Sequence, residues 1–436
     1  MDVTNENTTT EHDPYAALRV RDFRFFMSGN FFAVLGMQMQ TAAVAWEMYE
    51  RTESNIAVGI TGLAQFVPVL GLAFFTGSFA DRADRRRIMM AALAVIALAS
   101  LALASFQPKF AADRVTLMYS CLFFSGVARA FQQPARASFL AQVMPRESFS
   151  NAVAWNTGAF HLASALGPAV AGLLIAVFKT PMIVYLIDGV AATCFLLLLA
   201  CVESRPITPT ESESKFEELA AGLSFLWRSP IVLGAISLDM FAVLLGGAMT
   251  LLPVYASKEI LDVGPTGYGW MRAAPAVGAF AMSVWLAYRP PLERAGRALL
   301  WSVAGFGVAT IVFGLSRSFW LSVAMLVFTG AFDNISVVVR HTLVQVLTPN
   351  ELRGRVSAVN GLFIGASNEL GGFESGLVAE FFTPTISVVS GGIGTIGVVA
   401  ATAYFFPPLR RYGRLGSPTH IAGSSPAAVG EVEAGA

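Results

Sequence analysis

Displaced by the 204 positions that separate Arg136 from Arg340, the chain falls back onto itself. Pro145 meets Pro349, Glu147 meets Glu351, Ala154 meets Ala358 and Asn156 meets Asn360. The register continues without a gap through Leu166-Gly167 on Leu370-Gly371 and Gly172-Leu173 on Gly376-Leu377, ending with Phe178 on Phe382. Upstream, Phe124-Ser125-Gly126 faces Phe328-Thr329-Gly330. Apolar segments coincide through composition alone, but an Arg, a Pro, a Glu and an Asn in one register do not. Two halves of about 200 residues in the same orientation restrict the fold to a parallel internal repeat.

The solvent for that repeat follows from composition. Hydrophobic residues make up 55% of the 436 and charged residues 13%, with mean hydropathy +0.61, far from a soluble globular balance. In hydrocarbon the backbone must satisfy its own hydrogen bonds, so apolar stretches of about 20 residues are helices. Twelve such stretches are predicted: 23–46, 56–80, 88–107, 115–137, 150–178 and 181–202, then 231–255, 267–288, 298–316, 319–342, 355–382 and 385–407. The predicted fold is an all-α membrane protein of twelve transmembrane helices in two pseudo-symmetric six-helix bundles. Zero net charge gives no reason to expect nucleic acid as a partner. Cys121, Cys194 and Cys201 lie in apolar helices without ligand spacing and read as buried, ordinary thiols. Neither a metal nor a cofactor is called for.

The expected organisation is a disordered cytoplasmic segment at 1–14, a first bundle at 15–202, a linker at 203–229, a second bundle at 230–408 and a disordered tail at 409–436. Residues 1–13 hold Thr, Asn and acid, with no basic start and apolar core of a cleavable signal peptide. Within the linker, Phe216 to Trp227 has apolar residues at helical spacing and is expected along the membrane surface. Orientation rests on Lys and Arg. With the amino terminus inside, the outer loops hold Arg51, Lys109, Arg114, Lys179, Lys258 and Arg317, and Arg272 lies within a span, which leaves 22 of the 29 basic residues on the other side or at its helix ends. Both termini are therefore expected in the cytoplasm, below a cell inner membrane.

The inner loop after the second stretch runs from Gly77 through Asp81-Arg82-Ala83-Asp84-Arg85-Arg86-Arg87. Acids set among the arginines suggest specific pairing between helix ends beyond a simple positive anchor. Glu293-Arg294-Ala295-Gly296-Arg297 repeats the device in weakened form. This loop resembles the G-x-x-x-D-R-x-G-R-R/K signature of the major facilitator superfamily, with Asp84 where glycine is usual. The run from Val338 through Arg340, Arg353, Arg355 and Asn360 to Gly376 resembles the branch that includes enterobactin (siderophore) exporters, also called the transmembrane secretion effector family. The resemblance implies that Gly77, Asp81, Arg82, Asp84, Arg85 and Arg86 gate the cytoplasmic face, locking the halves together when the protein opens outward. Arg136, Glu147, Arg340, Glu351, Arg353 and Arg355 are the repeat-related residues of that face.

An ionisable group at membrane depth costs about 2.5–3.5 kcal/mol, so each one asks for a reason. Arg129 in the fourth stretch has Asp333 as its repeat partner in the tenth. Opposite charges at equivalent positions either pair across a central cavity or serve separate roles. Arg129 also resembles the arginine that many proton-coupled antiporters carry in this span. Glu369 and Glu374 in the eleventh stretch stand five residues apart, hence about 140° around the helix. With Asp239 in the seventh, these are the candidates for proton coupling or substrate contact, Asp333 and Glu369 first. Asp188 is expected near enough to the outer surface to be hydrated. His161 could titrate at physiological pH, although a lone membrane histidine is more often packing. Gly167, Pro168 and Gly172 in the fifth stretch resemble the antiporter motif G-P-x-x-G-G, with Ala171 in one glycine position.

Gln38, Gln40 and Thr41 of the first stretch and Asp239 and Thr250 of the seventh are sparse polar groups for a cavity. No dense basic or polar cage suits a sugar, phosphate or nucleotide. The expectation is a monomeric secondary transporter in the lipid bilayer that exchanges protons for an amphipathic small molecule, such as a siderophore or a drug. Uptake by symport is the alternative. A membrane enzyme lacks nucleophile–His–acid spacing and phosphate loops here, and a passive scaffold has no need of buried carboxylates.

Overall fold

A computed structural model describes residue 13 and residues 15–106, 111–145, 148–202, 215–289 and 293–413, apart from the side chains at 74, 77, 78, 80–82, 111, 112 and 215–219. Among the described residues there is helix and short turn and no strand. The first bundle comprises α1 (Arg21–Thr52), α2 (Asn55–Arg82), α3 (Arg85–Ser105), α4 (Ala111–Val143), α5 (Phe149–Phe178) and α6 (Met182–Ala200). After α7 (Lys215–Arg228), the second bundle comprises α8 (Pro230–Leu245), α9 (Leu252–Ala256), α10 (Gly264–Ala287), α11 (Ala295–Leu315), α12 (Phe319–Leu347), α13 (Arg353–Phe381), α14 (Pro384–Phe405) and the short α15 (Pro407–Arg411). Helix starts are chemically marked. Ser54 accepts from the Ala57 amide, Asp84 from that of Arg86 and Thr383 from that of Ile386, each side chain satisfying an otherwise unpaired donor.

Eight helical segments of the described residues are long and apolar enough to cross a bilayer, with α8 and α9 counted as one. The long helices outside that set are α1, α4, α10 and α13. These are the ones that carry Gln38, Gln40, Arg129, Arg272, Glu369 and Glu374.

The seventh apolar stretch is not one helix. It breaks after Leu245 at Gly246-Gly247, continues as a 3-10 turn over Ala248–Leu251 and resumes as α9. Close approach explains both glycines: a Cβ on Gly246 would lie 2.7 Å from the Phe306 ring, and one on Gly247 2.4 Å from the Gly371 carbonyl. The linker helix α7 is docked on the second bundle. Leu226 is buried with Val356 and Val359, and Gly222 abuts the Arg355 carbonyl. Cys194 and Cys201 are exposed on the bundle surface, contrary to the buried reading, whereas Cys121 is buried. A small thiol tolerates a lipid-facing position as readily as a core one.

The halves meet unevenly. At the end of the molecule away from the termini, one apolar core runs through both bundles and includes Trp46, Tyr185, Tyr255, Tyr268 and Phe313. There Tyr268 packs on Trp46 and donates to the Ala42 carbonyl, while Glu380 accepts from the Asn55 amide. A Cβ on Gly172 of α5 would stand 2.3 Å from the Pro265 carbonyl of α10, and one on Gly59 of α2 3.1 Å from the Gly372 carbonyl of α13. Toward the terminal end, Gly71, Gly158 and Gly361 on α2, α5 and α13 have nothing within 4 Å. The interface is thus sealed at the distal end and parted at the terminal end. On a background lacking Cys194 and Cys201, Gly158→Cys is expected to react with a membrane-impermeant maleimide added from the terminal side. Gly172→Cys, placed in the seal, is expected to resist it. Equal labelling at both positions would contradict this closure.

Candidate functional site

Between the halves, beneath the distal seal, lies a cavity of about 140 Å³. Thr41 of α1, Thr61 and Gln65 of α2, Thr250, Arg272 of α10 and Glu369 of α13 give it polar walls, and Val44, Val58 and Leu122 give it apolar ones. Two glycines set the charges in place. Gly126 lets α4 approach α2 until a Cβ would stand 2.2 Å from the Gln65 carbonyl. One turn further along α4, Arg129 donates Nη1–H to Gln65 Oε1 at 2.7 Å. Gly62 of α2 leaves a niche for Glu369 from the other half, since a Cβ there would lie 2.0 Å from Oε2.

Arg129 has two further nitrogens, Nε and Nη2, buried without a hydrogen-bond partner. Its partner Gln65 lines the cavity together with Glu369 and Arg272. One acid of the second bundle therefore shares the cavity with Arg272 of its own half and with the Gln65 that holds Arg129 of the other. Arg129 and its repeat partner Asp333 do not pair. Asp333 lines a second cavity, inside the second bundle, and makes no hydrogen bond or ion pair among the described residues.

The remaining acids are occupied elsewhere. Asp239 is buried in an ion pair with Arg340 of α12, which joins a coupling candidate to a repeat-related residue. Glu374 accepts from its neighbour Ser375 at 3.4 Å and lines neither of the two larger cavities. Asp188 is 1% exposed, so the hydrated reading fails. Gly36 brings the α1 backbone over it, Ser100 donates to Oδ2 at 2.6 Å, and Gln40 donates to the Ser100 hydroxyl at 2.8 Å. Gln38 is spent on Ser164.

A cluster at the distal end of the first bundle escaped sequence reading. Glu47 and Arg114 are 1% and 0% exposed and paired at 2.9 Å, with Tyr185 donating to the same carboxylate. Arg114 is thus not a loop charge: α4 begins at Ala111 and carries it into the core. Gln65 and Arg272 were also passed over as site residues. An arginine inside an apolar stretch was the available signal for Arg272, whereas nothing in the sequence distinguishes Gln65.

At the terminal end, Asp84 caps α3 and pairs with Arg87 at 3.5 Å, which explains an acid where the superfamily has glycine. Arg86 donates to the carbonyls of Leu199 and Ala200 at the end of α6, inside its own bundle. The side chains of Gly77, Asp81 and Arg82 lie outside the described residues, as does Glu147. Arg85 is half-buried, with Nε unpartnered, and Arg136 is half-buried. Glu351 is exposed on a 3-10 turn, Arg353 donates to the Thr348 carbonyl, and the Arg355 backbone supports α7. In the fifth helix, Gly167 admits Gln38 of α1, and Pro168 and Gly172 face Gly269 of α10, so one motif makes two crossings. Among the described residues no group of His, Cys, Asp and Glu could hold a metal; His161 stacks edge-on against Phe160.

Two helical bundles about a charged cavity, sealed at one end and parted at the other, define a secondary transporter of the major facilitator type. The chain belongs to the transmembrane secretion effector family, whose model matches residues 12–416. The enterobactin exporter EntS of Escherichia coli O1:K1 is 24% identical over 401 residues, covering 89% of this chain and 93% of that one. EntS of Shigella boydii serotype 18 matches equally. A D-xylose–proton symporter shares the fold at TM-score 0.70 and 13% identity, covering 90% of this chain and 99% of its own. A bacterial homologue of the lysosomal transporter Spinster, in an inward-facing and occupied conformation, does so at TM-score 0.65 and 13% identity, with 91% and 96% covered.

Proposed function

We propose that this protein is a proton-driven exporter of amphipathic small molecules, working by alternating access with both termini in the cytoplasm. The observation that carries the reading is Glu369 seated in the Gly62 niche of the other half, lining one cavity with Arg272 and with the Gln65 that holds Arg129. An ionised Glu369 draws the halves together beneath the distal seal; a proton on it leaves two like charges facing each other across the interface. Antiport needs proton and cargo to contend for one set of groups, and these arginines serve both. The mixed polar and apolar walls suit an amphipathic cargo. Relatives named as enterobactin exporters support a siderophore-like molecule, and the Gly167–Gly172 motif on α5 supports export over symport. The excess of basic residues on the terminal side, among them Arg85, Arg86, Arg87, Arg294, Arg297, Arg353 and Arg355, supports cytoplasmic termini, which makes the parted end the inner one.

The test is proton movement in inverted membrane vesicles with an acidic lumen. Adding a siderophore or an uncharged drug to the wild type is expected to discharge the pH gradient. Glu369→Gln is expected to abolish that response, and Asp333→Asn to retain it for an uncharged substrate. Labelled substrate that crosses with no proton movement, or a full response in Glu369→Gln, would overturn the coupling.

A further inference from the structure

We propose that the cavity inside the second bundle is a separate site for a small organic monocation: an ammonium carried on one small aromatic group. The cavity measures about 210 Å³, below the range of about 300–1,000 Å³ usual for drug-sized ligands. Asp333 supplies a carboxylate to its wall, and Phe306 and Phe313 with Leu326 supply an apolar side for a ring. No Lys or Arg is among the lining residues. The nearby arginine of α12, Arg340, is committed to Asp239, and Arg272 faces the other cavity.

A carboxylate without a counter-charge in an apolar wall requires either a proton or a cationic ligand to neutralise it. Two features select the ligand. Helix α8 ends at this wall, at Gly246 and Gly247, so the negative end of its dipole points at the same volume as the carboxylate. Aromatic rings in the wall add their own attraction for an ammonium group. A bare proton exploits neither the rings nor the volume. Thr250 lines this cavity and the one between the halves, so the two compartments share a wall. The site rests on the second bundle alone and does not depend on the direction of transport.

The experiment is calorimetric titration of the purified full-length protein in lipid nanodiscs with tryptamine, a monocation at neutral pH, and with 3-ethylindole, its neutral analogue of similar shape. Tryptamine is expected to bind the wild type, and 3-ethylindole to bind at least about tenfold more weakly, the loss expected for a charged hydrogen bond. Asp333→Asn, nearly isosteric, is expected to weaken tryptamine by a similar factor, and Glu369→Gln to leave it unchanged. Thr329→Met fills the cavity and keeps the carboxylate; it is expected to abolish binding, and keeps the test decisive if Asp333→Asn does not fold. Equal affinity for the neutral analogue, or wild-type binding in both cavity variants, would overturn the site. Loss in Glu369→Gln alone would move the cation to the cavity between the halves and also overturn it. No binding of tryptamine, phenethylamine or tetramethylammonium would reduce Asp333 to a proton acceptor.

Discussion

Arg114→Met is expected to destabilise the first bundle by about 3–5 kcal/mol, the range for breaking a buried ion pair from one side. Glu47 accepts from Arg51 Nε at 2.7 Å, Arg114 Nε at 2.9 Å, Arg114 Nη2 at 3.1 Å and the Tyr185 hydroxyl at 2.7 Å. Arg114 Nη1 in turn reaches the Phe106 carbonyl at 2.8 Å, so the cluster ties α1, α4 and α6 beside the distal seal. Removing the guanidinium strands a carboxylate that is 1% exposed, with only the half-exposed Arg51 left as a cation. The Glu47→Met/Arg114→Met pair removes both charges and is expected to recover most of the loss, leaving the Tyr185 hydroxyl to find a new acceptor. Thermal unfolding in detergent reads the difference. A single variant as stable as the wild type would show that Glu47 holds no charge in the fold.

That cluster also marks where sequence reading stopped. The repeat was legible because Arg, Pro, Glu and Asn do not coincide by composition, and the helices because lipid leaves the backbone no other regular choice. Arg129, Asp333 and Glu369 stood out for the same reason, as charges inside apolar runs. Their company did not. Arg114 sits just before the hydropathy of its stretch begins, so it counts as a loop charge until Glu47, 67 residues earlier in sequence, draws it into the core. Asp188 looked shallow when measured from the end of its stretch, but depth depends on what covers it, and Gly36 of α1 covers it. Pseudo-symmetry sets Arg129 opposite Asp333, but Asp333 lines a cavity of its own. Glu369 is instead the second-half acid that enters the first half, because Gly62 on α2 opens a niche that no single-chain periodicity reveals. The break at Gly246-Gly247 was hidden for a related reason: glycines pass as apolar in a membrane stretch whether or not the helix continues.

Arg129→Met is expected to reduce export on the order of 100-fold, near the upper end of the coupling between sites of about 1–3 kcal/mol found in two-state proteins. Arg129 is the first-bundle cation held at Gln65 on the cavity that Glu369 lines; Arg272 belongs to the same half as the acid and moves with it. Without Arg129 the acid keeps one cation but loses the attraction that spans the interface, so its protonation no longer biases one closure over the other. Arg129→Lys keeps the charge without the fork that reaches Gln65 Oε1 and leaves two nitrogens free, and is expected to lose less. Gln65→Leu, which removes the one hydrogen bond and keeps the guanidinium, is expected to fall between the wild type and Arg129→Met. The readout is initial efflux rate in vesicles at matched protein level, together with maleimide labelling at Gly158→Cys and Gly172→Cys. If Arg129 acts through the interface, the lost rate comes with a changed ratio of labelling at the two ends. If it is only a packing residue, the melting temperature falls and the ratio stays where it was.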